Sequence, residues 1–365
     1  MNIKVNRLLV KYNDEIVGFL EELENKKIAF QYDKDWVQDG FSISPFSLPL
    51  SDEVYISKSE YFSGLFGVFY DSLPDGWGEL LVRRMLAKKN INFDKLNSLT
   101  RLTLITANGL GGLTYEPTQS EHSSEILTDL DSLANEVKKI FNDSIESNDF
   151  DHLFALGGAS GGTRPKVHGL INGEEWIIKF PSSQDPINIG ELEYKANELA
   201  QKSLINVNEF KLFPSNNCTG YFGAKRFDRN KNQKLHMISL SALLETTYRI
   251  PNLDYKHLFQ VIQNICSNQD DMIETYKRMC FNVLYQNKDD HGKNFSFLYD
   301  DILKGYRLSP FYDITKTKDK LEHEMTVLGK GKPCEKDLLA IARHFNLSEK
   351  KSNDIINSIN KVIES

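Results

Sequence analysis

The chain has 365 residues, 40% of them hydrophobic and 26% charged, with a formal net charge of −7. That is an ordinary globular composition, long enough to bury a core without disulfides, and its acidity excludes a chain-wide nucleic-acid surface though not a local basic patch. The N-terminus, MNIKVNRLLVKYNDE, has no apolar signal segment and no apolar run approaches ~18 residues, so no membrane span is expected and the expected compartment is the cytoplasm.

IVGFLEE and KKIAFQYD are short strand-like runs with polar breaks. In YFSGLFGVFYDSLPDGWGELLVRRMLAKK, Pro74, Asp75 and Gly76 make a turn, after which Leu80, Leu81, Met85 and Leu86 fall on one face of a helix. ANGLGGLTYEP closes this region with a Gly-rich turn and a strand, so that residues 1–118 read as a mixed N-terminal subdomain. Residues 119–150 are acidic and rich in Ser, Asp and Asn. They read as a linker carrying one amphipathic helix, from Ile126 to Ile140. Residues 151–228 read as a β-rich lobe: VHGLI and EWIIKF flank Asn172-Gly173, a type I′ hairpin signal, and KLFPSNNCTGYFGAKRFDRN supplies further strands. Between them, ELEYKANELAQKSL is a helix with Leu192, Ala196, Leu199 and Ala200 spaced to face a core. Residues 229–365 read as a helical lobe, mostly helix from His257, interrupted at NKDDHGKN and RLSPFYDIT and ending in two amphipathic helices from Glu335. Cys218, Cys266, Cys280 and Cys334 form no CxxC pair and read as reduced thiols. No internal repeat is present. The order implies an α+β class, a two-lobed protein-kinase-like fold with an extra subdomain at its N-terminus, which is one way to build a nucleotide site.

The loop GGASGGTRPK admits several readings. Gly158-Ala159-Ser160-Gly161-Gly162 fits GxSxG, but a nucleophile elbow needs a helix straight after it, and here Pro165 and a hairpin follow. Gly157 and Gly162 are spaced as in a P-loop, but Thr163 stands where the lysine belongs. A kinase-type loop, whose backbone N–H groups cover phosphates, suits the hairpin context, as does a plain Gly-rich turn.

A phosphotransfer site needs more. Lys179 ends the run WIIK, as a strand lysine for the α/β-phosphates does. Glu191, Glu193 and Glu198 lie on the next helix, any of them able to orient that lysine or simply to face solvent, and Glu193 is favoured. In NKDDHGKN, Asp289 and Asn294 stand five apart, the spacing of a catalytic Asp and its metal-binding Asn, with Lys293 placed to neutralise the transferring phosphate. Two apolar strand runs then lead to Asp313, which holds the place of the second metal-binding Asp, although Ile314 and Thr315 follow it.

These motifs together resemble the HipA-type serine/threonine kinases, the toxins of bacterial toxin–antitoxin pairs. FQYDKDWVQDGFSISPFSLPL and LPDGWGELLVRRML look like that family's N-terminal subdomain, GGTRPK its Gly-rich loop, KRFDR its hinge, and NKDDHGKNFSF with LSPFYDI its catalytic and metal-binding loops. The resemblance implies ATP and Mg²⁺ as cofactors. Gly161, Gly162, Thr163, Arg164 and Lys166 would cover the nucleotide phosphates, with Lys179 and Glu193 behind them, and Lys225 to Phe227 would meet the adenine. Asp289 would be the base; His291, Asn294, Tyr312 and Asp313 would line the ATP site, with Asn294 and Asp313 on the metal. It implies a protein substrate phosphorylated on Ser or Thr, such as an aminoacyl-tRNA synthetase, to stop translation and growth. It also implies a HipB-like helix-turn-helix antitoxin through which alone the protein meets DNA. Family members can phosphorylate a serine of the Gly-rich loop. Aligned on Lys166, that position is Ala159 here, so Ser160 and Thr163 are the candidate acceptors. Two rivals use similar residues: a small-molecule kinase of the aminoglycoside-phosphotransferase type, and a non-catalytic nucleotide-binding regulatory subunit.

Overall fold

The computed structural model describes residues 4–105, 109–118, 125–141, 147–157, 161–230, 233–268, 270–317 and 319–365, with main chain alone at 141 and 147–151. The chain divides into two compact units. The first takes Met1–Glu191, Phe210–Ile238 and Ala242–Glu245; the second takes Leu192–Glu209, Ser239–Ser241 and Thr246–Ser365.

In the first unit, β1 (Arg7–Tyr12), β2 (Glu15–Glu22), β3 (Ile28–Tyr32), β4 (Val54–Ile56) and β5 (Leu113–Glu116) form one antiparallel sheet in the order β4-β3-β2-β1-β5. IVGFLEE, KKIAFQYD and the strand after the Gly-rich turn are thus where the sequence puts them. β1 is an addition. Alternate residues Leu8, Val10 and Tyr12 turn inward, and Asn13-Asp14, both at positive φ, make the two-residue turn into β2. Against this sheet His236 is fully buried beside the rings of Tyr12 and Phe41, with Nε2 2.8 Å from the Ile43 carbonyl. Burial pushes its pKa down to about 4, because the ring cannot keep a charge there. The unfolded chain therefore takes up the proton first, and stability is lost as pH falls from the unfolded value near 6.5 towards 4. Between pH 7 and pH 5 this group should cost about 2 kcal/mol. Urea melts should show that loss in the wild type and a flatter profile in His236→Gln; equal slopes would remove the assignment.

The helix Gly76–Lys88 buries Trp77, Leu81, Val82, Met85 and Leu86. Its core is shared with Leu133, Val137 and Ile140 of helix Leu130–Phe141 and with Leu153, Phe154 and Leu156 of helix Ser147–Gly157. Residues Val167, Trp176, Ile178 and Tyr221 of the second sheet complete it. The acidic stretch after residue 118 therefore packs with one stripe of its helix into the core. That helix begins at Leu130; Ile126 lies outside it, 72% exposed, in a bridge to Leu170.

The second sheet has the order β6-β7-β9-β8, all antiparallel: β6 (Lys166–Ile171), β7 (Glu174–Lys179), β8 (Phe210–Phe213) and β9 (Tyr221–Lys225). Asn172 and Gly173 have φ of 53° and 78°, as the type I′ turn between β6 and β7 requires. One expectation needs correcting. In helix Ile189–Lys202, Leu192 is 45% exposed, and the buried side is Glu193, Ala196, Asn197 and Ala200. Ala196 and Ala200 are buried as their spacing predicts, but Glu193 and Asn197 take the other inward positions in place of Leu192 and Leu199.

The second unit is helical, as expected from His257 onward. Tyr255–Ile265 starts at the Asp254 cap, which accepts the Lys256 N–H at 2.9 Å. Asp270–Tyr285, Glu335–His344 and Glu349–Glu364 follow, burying Tyr276, Met279, Cys280, Phe281, Leu338, Ile341, Ile356 and Ile359. It also holds an antiparallel hairpin, Ser296–Asp300 with Gly305–Leu308, between the two polar interruptions, and a short parallel pair, Leu253–Asp254 with Met325–Thr326. All four cysteines are free thiols. Among the described residues no helix is long and apolar enough to cross a membrane.

Candidate functional site

Each unit brings together one group of the residues singled out in the sequence. In the first, the Gly-rich loop runs from Gly161 into β6 at Lys166; Ser160 lies outside the described residues. Lys166 reaches back with Nζ to the Gly161 carbonyl at 2.6 Å. Arg164 is held by Asp185, 3.3 Å away, which itself accepts the Ser182 N–H and hydroxyl. Thr163 is exposed. Lys179 is the cross-strand partner of Lys166 and lies 5.6 Å over the Phe222 ring. The two lysines thus stand side by side on one ladder rung.

The stretch KRFDR, the expected hinge, splits by direction. Lys225 ends β9 and its ammonium pairs with Glu174, while Phe227 is half-buried. Arg226 turns inward, fully buried, and grips Asp228 through Nε at 2.9 Å and Nη2 at 2.7 Å, with a further bond to the Gly109 carbonyl. Arg229 adds Asp228 and the Gly111 carbonyl, and Asp228 accepts the Gly111 N–H at 2.7 Å. Burial alone would raise the Asp228 pKa, but the two guanidinium groups outweigh it and hold the carboxylate well below its usual range. The Gly-rich turn of ANGLGG is thereby tied to the hinge, a function that the spacing of neither motif reveals.

In the second unit the two aspartates of NKDDHGKN have opposite surroundings. Asp290 is 1% exposed and accepts from Tyr255 Oη at 2.8 Å, His323 Nδ1 at 2.9 Å and the Glu324 N–H at 2.9 Å. Burial, then the Asp290 charge, drives the Tyr255 pKa well up, so its O–H remains a donor. Asn282 donates to Tyr255 Oη and accepts from Asn287, each at 2.8 Å, which extends the buried network under the loop. Asp289 instead has a side chain 41% exposed and pairs with Lys320 Nζ at 2.5 Å. Lys320 also bonds Glu324 at 2.6 Å. Burial lowers the Lys320 pKa, but the two carboxylates more than offset this and raise it. Lys320 was not foreseen. It stands 31 residues from Asp289 and arrives through the bond of Lys288 Nζ to its carbonyl and that of the Glu324 N–H to Lys288.

Asn294 closes the short helical turn Gly292–Asn294 and donates Nδ2 to the Asp289 carbonyl at 2.7 Å, which fixes the orientation of its amide. Lys293 Nζ lies 5.1 Å over the Tyr248 ring, on which His291 also packs. The Tyr312 hydroxyl donates to the Lys293 carbonyl at 2.6 Å and meets Ser296 Oγ at 2.7 Å, so this residue also braces the loop. Next to it Asp313 has φ of +58°, a backbone conformation uncommon outside glycine and often found at functional positions. Glu193, 2% exposed, belongs to this unit.

One buried polar atom beside the Asp289 loop bears on whether a bound group would be accepted there. His291 Nδ1 is buried with no hydrogen-bond partner, a polar atom that a bound group could satisfy. Among the described residues no three His, Cys, Asp or Glu gather as a metal cage.

The HipA N-terminal domain matches residues 8–116, and the HipA-like C-terminal domain matches residues 158–365. The chain belongs to the HipA family. A solved chain from the HipA, HipB and operator DNA complex of the Shewanella oneidensis MR-1 toxin–antitoxin system superposes with a TM-score of 0.74 at 19% identity, covering 98% of this chain and 88% of that one. This HipA-family chain therefore shares that fold. Two Sinorhizobium fredii proteins named as kinases are also similar. Y4dM is 27% identical over 167 residues, 42% of this chain, and Y4mE is 34% identical over 64 residues, 17% of this chain. The matched stretches span 40% and 15% of those relatives' own lengths.

Proposed function

We propose that this HipA-family protein is a serine/threonine protein kinase that transfers the γ-phosphoryl group of MgATP and acts as the toxin of a toxin–antitoxin pair. The observation that carries this reading is the loop at Asp289, where an accessible carboxylate and an oriented Asn294 amide are built on one buried polar network. Phosphoryl transfer asks little covalent chemistry of a protein; it asks for positioning and for charge neutralisation. Asp289 accepts or orients the proton of the acceptor hydroxyl. Asn294 and Asp313 would hold Mg²⁺ through their side-chain oxygens, and the ion would supply charge neutralisation for the phosphates. Lys179 and the loop Gly161–Lys166 hold the phosphates, and Lys225 to Phe227 meet adenine through backbone groups. The substrate is a cytosolic protein, with an aminoacyl-tRNA synthetase as the first to try. The solved Shewanella complex, which contains HipB and operator DNA, supports a HipB-like partner. With a net charge of −7, DNA contact would come chiefly through that partner.

Intact mass of phosphatase-treated protein, before and after MgATP, tests the reading together with labelled ATP in a cell lysate. One added phosphate at Ser160 or Thr163, absent in Asp289→Asn, is the expected result for self-modification, with labelled lysate proteins for the toxin activity. No phosphate on either would overturn it.

Lys320 should share in the chemistry as the charge partner of Asp289. Lys320→Met should lower transfer by about tenfold, as an electrostatic contact of roughly 1.4 kcal/mol in the transition state would. Its effect on stability should be under about 1 kcal/mol, since the pair is partly exposed. Steady-state kinetics with labelled ATP would read this, and an unchanged kcat would leave Lys293 as the sole candidate.

A further inference from the structure

Asp75 stands at the N-cap of helix Gly76–Lys88, yet its side chain makes no capping bond to that helix. Its carboxylate instead accepts the N–H of Gly162 in the Gly-rich loop. Trp77 completes the clasp. Its backbone N–H donates to the Gly162 carbonyl at 2.8 Å, and its indole N–H donates to the Lys166 carbonyl at 3.0 Å. Both backbone groups of Gly162 are therefore held by residues 75 and 77, which are 3% and 1% exposed. The approach is close enough to demand glycine at position 76, and the backbone conformation favours glycine at both 76 and 162. A Cβ on Gly76 would lie 2.3 Å from the Gly162 carbonyl oxygen, and Gly76 and Gly162 have φ of +47° and +76°.

These contacts link the N-terminal family domain to the C-terminal one inside a single compact unit. A carboxylate–amide bond is among the stronger hydrogen bonds, and this one spans 87 residues of sequence. It also occupies an N–H that a phosphate would otherwise seek, so Gly162 serves as the loop's anchor and phosphate must be received by other loop groups. A flexible Gly-rich segment would lose conformational entropy when it closes on a nucleotide, and a loop already pinned at its middle loses less.

We infer that Asp75 is a positioning residue for nucleotide binding. The turn 74–77 holds the Gly-rich loop in the conformation that receives the phosphates, an inference that rests on the kinase reading above. MgATP affinity would be measured by calorimetry on the full chain as wild type, Asp75→Ala and Asp75→Asn, alongside hydrogen exchange of the peptide covering 161–166. Asp75→Ala should weaken MgATP binding by about tenfold and speed exchange in 161–166 by a similar factor, the size expected from losing one charge-assisted bond. Asp75→Asn, whose amide oxygen still accepts the Gly162 N–H, should stay within about threefold of wild type. Exchange over the helix Gly76–Lys88 should be alike in all three, which separates loop positioning from loss of fold. Wild-type affinity in Asp75→Ala would overturn the inference, as would unchanged exchange in 161–166. A wild type that binds no MgATP would instead sink the kinase reading, and this inference with it.

Discussion

Asp289→Asn should abolish phosphoryl transfer, by about 10³-fold or more, while its melting temperature stays within about 2 °C of wild type. The geometry separates the two effects. The Asp289 side chain is 41% exposed and its ionic partner Lys320 is 34% exposed, so little packing is lost when the charge goes. The backbone that Asn294 depends on is untouched, because Asn294 bonds the Asp289 carbonyl and not its carboxylate. The amide of the variant is isosteric but can no longer accept a proton from the substrate hydroxyl. Labelled-ATP transfer and circular-dichroism melting on the same preparation would settle it. Transfer within tenfold of wild type would remove Asp289 from the mechanism.

Its neighbour should behave in the opposite way. Asp290→Ala should cost about 3–5 kcal/mol of stability, because Tyr255 Oη, His323 Nδ1 and the Glu324 N–H lose a buried acceptor at once. A fall of about 5 °C in melting temperature follows from that cost in a chain of 365 residues. Activity would fall with it, since the segment bearing Lys320 is tied down through Glu324 and Lys288. Asp290→Asn is the milder control, as it keeps two acceptor lone pairs on its oxygen. Equal melting of Asp290→Ala and wild type would mean that the buried network does not hold the loop.

Two adjacent aspartates with such different surroundings show where reading from sequence stops. The spacing of Asp289, Asn294 and Asp313 is legible because the loop and hairpin between them are local, and local geometry follows from a few residues. The same is true of the Asn172-Gly173 hairpin and the helix after Gly76. Lys320 could not be found that way. Its approach to Asp289 depends on Lys288, Asp290 and Glu324 bonding across 31 to 36 residues, and no period or motif encodes it. The inward face of helix Ile189–Lys202 was legible only at Ala196 and Ala200, for a related reason. Its buried stripe includes Glu193 and Asn197, and hydrophobic spacing cannot announce a face whose inward groups are polar.

By itself, then, the sequence determined the α+β class, many of the strands and helices on which the motifs lie, and the motifs that carry the HipA likeness. Those follow from side-chain periodicity, turn chemistry and short-range spacing, which act within a few residues. Only the tertiary structure decided which polar groups are buried and by what they are held: Asp290 under the loop, Arg226 and Asp228 behind the hinge, Asp75 against Gly162. Burial is a property of the packed chain, and a charged side chain is stable there only when distant segments supply its partners, so its role exists only once those segments have met.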